Sequence, residues 1–235
     1  ERTGSTTTDL TAAFGAGPWV VVAQHDDDAV IGCGLAIAAA RRAGIAVHVA
    51  VVSDGRMGYF DPIDQDEPIA TRDRELIASL AAVGVGEDHL HRLGFADGSL
   101  RQAAGCRSEA EGSGISRALA RLLRRVRPGA VFCCTGADLH PDHKVVAEET
   151  AMAVAFATGP VWREFGEPID APRQWDYAVY CDFPALPDRQ LRTGPDVLAA
   201  KMDAMRCYRS QPVIDAIAER IGADGPVEYF AENAW

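Results

Sequence analysis

The chain has 235 residues, enough for one α/β domain with a well-buried core, and its 48% hydrophobic and 24% charged content is that of an ordinary globular protein. A formal net charge of −11 argues against a general binder of nucleic-acid backbones, and no apolar run approaches the roughly 18 residues that a membrane-spanning helix needs. Residues 1–8 lack the basic-then-apolar pattern of a signal peptide, and the six cysteines include no CxxC pair, so a reducing cytoplasm is expected.

The elements alternate. Residues 19–23, a β-branched run after Gly17 and Pro18, read as a first buried strand behind an N-terminal tail at 1–16. Residues 29–43, rich in alanine and leucine and closed by Gly44, read as a helix, and 45–52 as a second strand. A helix over 67–83, a weak strand over 89–93 and an arginine-rich helix over 115–126 follow. Arg117, Arg121, Arg124, Arg125 and Arg127 are expected to form its solvated face. Residues 130–135 read as a strand in which Cys133 and Cys134 point to opposite faces. A helix over 143–157, a strand over 176–181 and a helix over 195–208 complete the set. Strands alternating with helices of this length predict one Rossmann-like α/β domain over 1–235, with a mainly parallel sheet covered by helices on both faces.

In such sheets ligands bind beyond the carboxyl ends of the strands. Two loops there carry chemistry. The first holds His25, Asp26, Asp27 and Asp28, three consecutive carboxylates whose mutual repulsion a bound cation would relieve. His25 and Asp28 are spaced to face one point, and nitrogen and oxygen donors together suit zinc or another divalent first-row metal. The other reading of this loop is a hydrated acidic turn capping the helix. The second loop holds His140, Pro141, Asp142 and His143 at a helix start, where Pro141 suits the first position and neutral imidazole is favoured. Gly32 and Gly34 lack the third glycine of a dinucleotide fingerprint, because position 37 is Ile. Cys33 reads as a buried thiol, and His89 and His91 as edge or surface histidines.

The paired motifs, with Gly32, Cys33 and Gly34 behind the first, resemble the LmbE-like/PIG-L family of zinc-dependent N-deacetylases. The resemblance runs on through Ser53, Asp54 and Gly55; Arg72 and Glu75; the stretch 93–98; and Lys201, Ala204, Tyr208, Ser210 and Gln211. Two positions depart from the family pattern: Asp26 stands where the family has proline, and Ala29 where it has glutamate. By position, the resemblance implies His25, Asp28 and His143 as ligands of Zn2+, Asp27 as general base, and His140 as acid and oxyanion partner with Asp142 behind it. It also places Arg72 and Asp97 at the substrate sugar, an acetylated aminosugar within a larger conjugate such as an antibiotic or thiol-cofactor precursor. Asp54 and Arg56 are further candidates for substrate contact. A magnesium-dependent phosphohydrolase of the haloacid-dehalogenase type, built on Asp26 and Asp28, is an alternative, but it gives the histidines no role. A non-catalytic metal-containing sugar-binding protein is another. The long segments 56–68 and 101–114 follow sheet-end strands and are expected to border the site, and together with 158–175 to hold the rest of the conjugate. In the third, Trp162, Phe165 and Trp175 either stack on substrate or pack the core.

Overall fold

A computed structural model describes residues 5–6, 9–58, 66–105 and 113–233. The strands are β1 (Ser5–Thr6), β2 (Trp19–Ala23), β3 (Val47–Ser53), β4 (Leu90–Phe95), β5 (Ala130–Cys134), β6 (Arg173–Tyr177), β7 (Arg189–Arg192) and β8 (Val227–Glu232). The helices are α1 (Leu10–Phe14), α2 (Asp28–Arg42), α3 (Asp66–Ala82), α4 (Ile115–Val126), α5 (Pro141–Thr158), α6 (Pro195–Met205) and α7 (Val213–Asp224). The strands form one sheet in the order β1-β7-β8-β6-β5-β2-β3-β4. From β6 to β4 every pairing is parallel, and β8 is inserted antiparallel between β6 and β7.

Alternation along the strands divides the core into two layers, as side chains on a pleated strand must. Val21, Ala23, Val49, Val51, Phe132 and Cys134 pack against α2, α3 and α6, while Val20, Val22, Ala50, Val52, Val131 and Cys133 pack against α4 and α5. Central parallel strands buried on both faces read as continuous apolar runs, which is why 19–23 and 130–134 stand out in the sequence.

Three expectations change. The stretch read as a tail contributes the pairing of β1 with β7 and the helix α1, whose Phe14 is buried against the rings of Trp19, Phe132, Trp175 and Phe230. Arg124 is not on a solvated face. It is buried, and its guanidinium donates to the carbonyls of Phe156, Ala157, Gly159, Trp162 and Gly166, closing the carboxyl end of α5. The aromatic segment 158–175 follows that end. Because α5 has 18 residues and starts at the site end of the sheet, the segment begins about 27 Å along the helix from the site and returns through β6. Trp175 is core, donating Nε1–H to the Phe14 carbonyl, and Trp162 packs on Phe156 beneath Arg117. These aromatics do not border the site. Of the other two long segments, 59–65 and 106–112 lie outside the described residues.

Candidate metal centre

The first helix of the parallel region runs to one side of β2 and that of β5 to the other, so strand order reverses between β2 and β5. A crevice opens at such a switch point, and both histidine–aspartate loops leave the sheet there. The first loop leads from β2 into α2, with Asp27 at the N-cap position, its side chain making no cap hydrogen bond, and Asp28 in the first turn, where the helix dipole favours negative charge. The second leads from β5 into α5, with His140 as N-cap and Pro141 in the first turn.

Three donor atoms converge. His25 Nδ1 lies 3.1 Å from Asp28 Oδ2, His143 Nε2 lies 3.2 Å from the same oxygen, and the two nitrogens are 3.4 Å apart. A tetrahedral ion bound at about 2.0–2.1 Å places neighbouring donors about 3.3 Å apart, so this triangle is the face of such a polyhedron. The second oxygen of Asp28 and one oxygen of Asp27 are buried with no hydrogen-bond partner among the described residues. Buried carboxylate oxygens left bare are costly, and a cation is the partner that satisfies both. The site therefore fits a divalent metal.

The remaining polar groups hold these donors in place. Behind His143, Asp138 Oδ2 lies 3.3 Å from Nδ1. Asp138 also accepts the backbone N–H groups of His140 and Tyr180, which ties both flanking loops to one carboxylate. Behind His25, Nε2 faces Asp97 at 3.1 Å and Asp142 at 3.7 Å. Carboxylates in this position fix the ring tautomer and raise the basicity of the ligating nitrogen. Asp97 and Asp142 are in turn held by the N–H groups of Met57 and Gly98. Other donor groups come near one another, including Cys134 with Asp138 and His143, and His25 with Asp97 and Asp142. Burial pushes the Cys134 thiol up, away from thiolate, and the unpartnered carboxylate oxygens belong to Asp27 and Asp28.

Electrostatics point the same way. Burial opposes charge on His25, yet hydrogen bonds to Asp142, Asp28 and Asp97 win and raise its pKa. His143 is likewise pushed to about 9, burial being outweighed by Asp28 and Asp138. Asp28 is held far below the usual carboxylate range, its burial overcome by His143 and His25. The buried carboxylates around the two imidazoles thus favour positive charge at this point. Asp27 differs. Burial, then repulsion from Asp26 and Asp28, lift it to about 7. His140 is half-exposed and its pKa falls, from burial and from the neighbouring His25 and His143. Its Nδ1 accepts the Asp142 N–H, so the neutral ring carries its proton on Nε2.

Several residues stand elsewhere than expected. Asp142 reaches His140 through its backbone and His25 through its carboxylate, so it does not sit behind His140 as a carboxylate partner. Arg72 is buried and forms a two-pronged pair with Asp26, with further contacts to Gln211 and Asp27. Asp26 thus faces Arg72 and away from the donor triangle, and it engages the group expected at the sugar. Asp54 accepts from Arg56 and from the Asp97 N–H, which orders the loop after β3. Asp138 was missed, although an acid in the strand-end loop five residues before His143 is a readable signal. His89 and His91, joined by His48, cluster at the opposite end of β3 and β4.

Fold and site together define a Rossmann-like α/β protein with a buried histidine–carboxylate cluster, able to hold a metal ion, at the switch point of its sheet. The chain belongs to the GlcNAc-PI de-N-acetylase (PIG-L) family, whose model matches residues 20–154. It is 26% identical over 230 residues to 1D-myo-inositol 2-acetamido-2-deoxy-α-D-glucopyranoside deacetylase 2 of Saccharopolyspora erythraea, covering 83% of this chain and 84% of the relative. N,N'-diacetylchitobiose deacetylase from Pyrococcus horikoshii superposes with a TM-score of 0.74 at 24% identity, covering 96% of this chain and 86% of its own. GalB, the 4-carboxy-2-hydroxymuconate hydratase of Pseudomonas putida KT2440, superposes with a TM-score of 0.75 at 18% identity, covering 94% and 97%. A fold shared with a hydratase does not decide the reaction; the site must.

Proposed function

We propose that this protein is a zinc-dependent hydrolase that removes the acetyl group from the nitrogen of an N-acetylglucosamine-type sugar within a larger conjugate. The observation that carries the reading is the donor triangle of His25, Asp28 and His143 with an unpartnered carboxylate oxygen on the neighbouring Asp27. Family membership and the deacetylase relative support it, and the alternative of an aspartyl-phosphate enzyme leaves that triangle unexplained.

His25, Asp28 and His143 hold the ion, and Asp138, Asp97 and Asp142 hold the imidazoles. When bound, the ion supplies a Lewis acid that makes water more acidic and polarises an acyl oxygen. Asp27 takes the proton of the attacking water, a task open to a buried carboxylate with an unpartnered oxygen next to a ligand residue. His140 presents Nε2–H to the oxygen on which negative charge develops as water adds to the amide carbon. When the C–N bond breaks, a proton passes to the departing nitrogen, giving acetate and the free amine. Asp97 bears on the substrate side through His25, and Arg72 through Asp26 and Asp27. Asp54 reaches the site by ordering the loop that carries Asp97. The unit that acts is the single domain spanning the chain.

The test is acetate release from N-acetylglucosaminides by metal-loaded protein, with Asp27→Asn and His140→Ala beside it. Release that falls by a factor of about 10² or more in both variants supports these roles. Undiminished release in either removes that residue from the chemistry.

A further inference from the structure

Of the six histidines, His25, His140 and His143 belong to the metal centre, and His48, His89 and His91 stand at the other end of the sheet. His48 is in β3, five residues before Ser53, and so about 17 Å from the site end of that strand. His89 and His91 are two apart at the entry to β4, and alternate strand residues share a face. Parallel pairing of Val49 with Leu90 and of Ala50 with His91 brings His48 beside His89 and diagonally across from His91. That face is the one covered by α4, whose Arg125 reaches His91.

The ring of His48 lies against both others, with centroids 4.4 Å from His89 and 5.2 Å from His91. His48 Nδ1 is 3.0 Å from His91 Nε2, close to the separation of about 3.3 Å between neighbouring donors on a tetrahedral ion. Their protonation follows from geometry. Arg125 Nη2 is 3.2 Å from His91 Nδ1, and a guanidinium only donates, so that nitrogen is a bare acceptor. The His91 proton is then on Nε2 and points at His48 Nδ1, which is bare in turn. Both rings are neutral, the form that binds metals. Asp88 Oδ2, 3.9 Å from His89 Nε2, adds a carboxylate at the rim. An anion would need protonated rings or free guanidiniums. The rings are neutral, and Arg41, also near His48, is committed to the carbonyls of Gly84 and Ile45.

We propose that His48, His91 and His89 form a second metal site, remote from the first, for a late first-row divalent ion such as Zn2+, Ni2+ or Cu2+. Imidazole donors favour these ions over Mg2+ or Ca2+. The ion takes the place of the proton between His48 and His91, that proton moves to His91 Nδ1, and the exposed Arg125 swings into water. Because its donors are half-buried and Arg125 competes for one of them, this site fills only with added metal and empties on gel filtration. The inference is independent of the deacetylase reading.

The experiment titrates Zn2+ into gel-filtered, zinc-loaded protein by calorimetry and follows the histidine ring nitrogens by NMR. One further ion per chain is expected, with the nitrogens of His48 and His91 shifting as it binds. Affinity is expected to fall about tenfold or more in His48→Ala and His91→Ala, and to rise in Arg125→Ala, which removes the competing cation from an exposed position. If either histidine variant fails to fold, the ring shifts in the parent and the Arg125→Ala affinity decide. No further ion, an ion that leaves both rings unshifted, or affinity untouched by the histidine variants or lowered by Arg125→Ala overturns the site.

Discussion

Replacing Lys201 with methionine tests how α2 is held over the sheet. The Lys201 ammonium donates to the Ile31 carbonyl at 2.6 Å and to Glu228 Oε1 at 2.7 Å, while the Glu228 carboxylate accepts Leu35 N–H at 2.8 Å and Ala36 N–H at 2.9 Å. Both side chains are nearly sealed, at 2% and 5% exposure. The two glycines beneath them leave no room for side chains, since a Cβ at Gly34 would meet Lys201 Cγ at 2.9 Å and one at Gly32 would meet the Tyr177 ring at 2.3 Å. Lys201→Met leaves a buried carboxylate with two backbone donors and no cation. Breaking one side of a buried pair costs about 3–5 kcal/mol. For a chain of this size each kcal/mol lowers Tm by about 2–4 °C, so the drop should be about 6–20 °C. Urea unfolding followed by circular dichroism measures it, with Lys201→Met/Glu228→Gln completing a cycle. The double variant should recover part of the loss, because the unpaired charge is gone. A single-variant loss below about 1 kcal/mol, or strictly additive losses, would refute the reasoning.

Other outcomes are equally specific. Asp138→Ala removes the carboxylate behind His143 and should weaken metal affinity about 10–100-fold, read by competition with a chromogenic chelator; unchanged affinity would contradict its positioning role. Asp176 is raised to about 6 by burial, which its hydrogen bond from Asn233 only partly offsets. A folded pKa above the unfolded value for an acid means that its contribution is favourable at low pH and is lost as pH rises from about 4 to 6. Asp176→Asn should therefore stabilise the protein by about 1–3 kcal/mol at pH 7 and by little at pH 4, and an equal effect at both would contradict the burial argument. Phe14→Ala empties the ring cluster around α1 and should cost about 3–5 kcal/mol in the same unfolding assay; a loss under 1 kcal/mol would mean that α1 is not part of the core.

The parallel half of the fold and the two metal loops were legible because their signals are local: continuous apolar runs, glycine stops, and histidine–aspartate pairs at strand ends. Beyond residue 158 the helix over 195–208 was legible as α6 and the strand over 176–181 in part as β6, but β7, α7 and β8 were not. β8 alternates properly, but its buried face carries Glu228 beside Phe230, so a carboxylate in a core position hides the pattern. β7 has four residues, of which Gln190 and Leu191 are buried, too few to show a period. α7 did offer Ile214, Ile217, Ala218 and Ile221 at helical spacing, a signal that was passed over. Arg124 illustrates a further limit. A cation at helical spacing reads as solvated until the carbonyls of another element are known to converge on it. Likewise, nothing local shows that Asp26 faces Arg72, because that pairing joins residues 46 apart in the chain.

The central claim is that His25, Asp28 and His143 together hold one catalytic divalent ion. The direct measurement is metal content by mass spectrometry alongside acetate release from an N-acetylglucosaminide, for the parent protein, its chelated form, His143→Ala and Asp27→Asn. One zinc per chain should accompany activity in the parent, both should vanish on chelation and return with added zinc, His143→Ala should lose both, and Asp27→Asn should keep the metal while losing turnover. Full activity in verified metal-free protein, or a full metal complement in His143→Ala, would contradict the account.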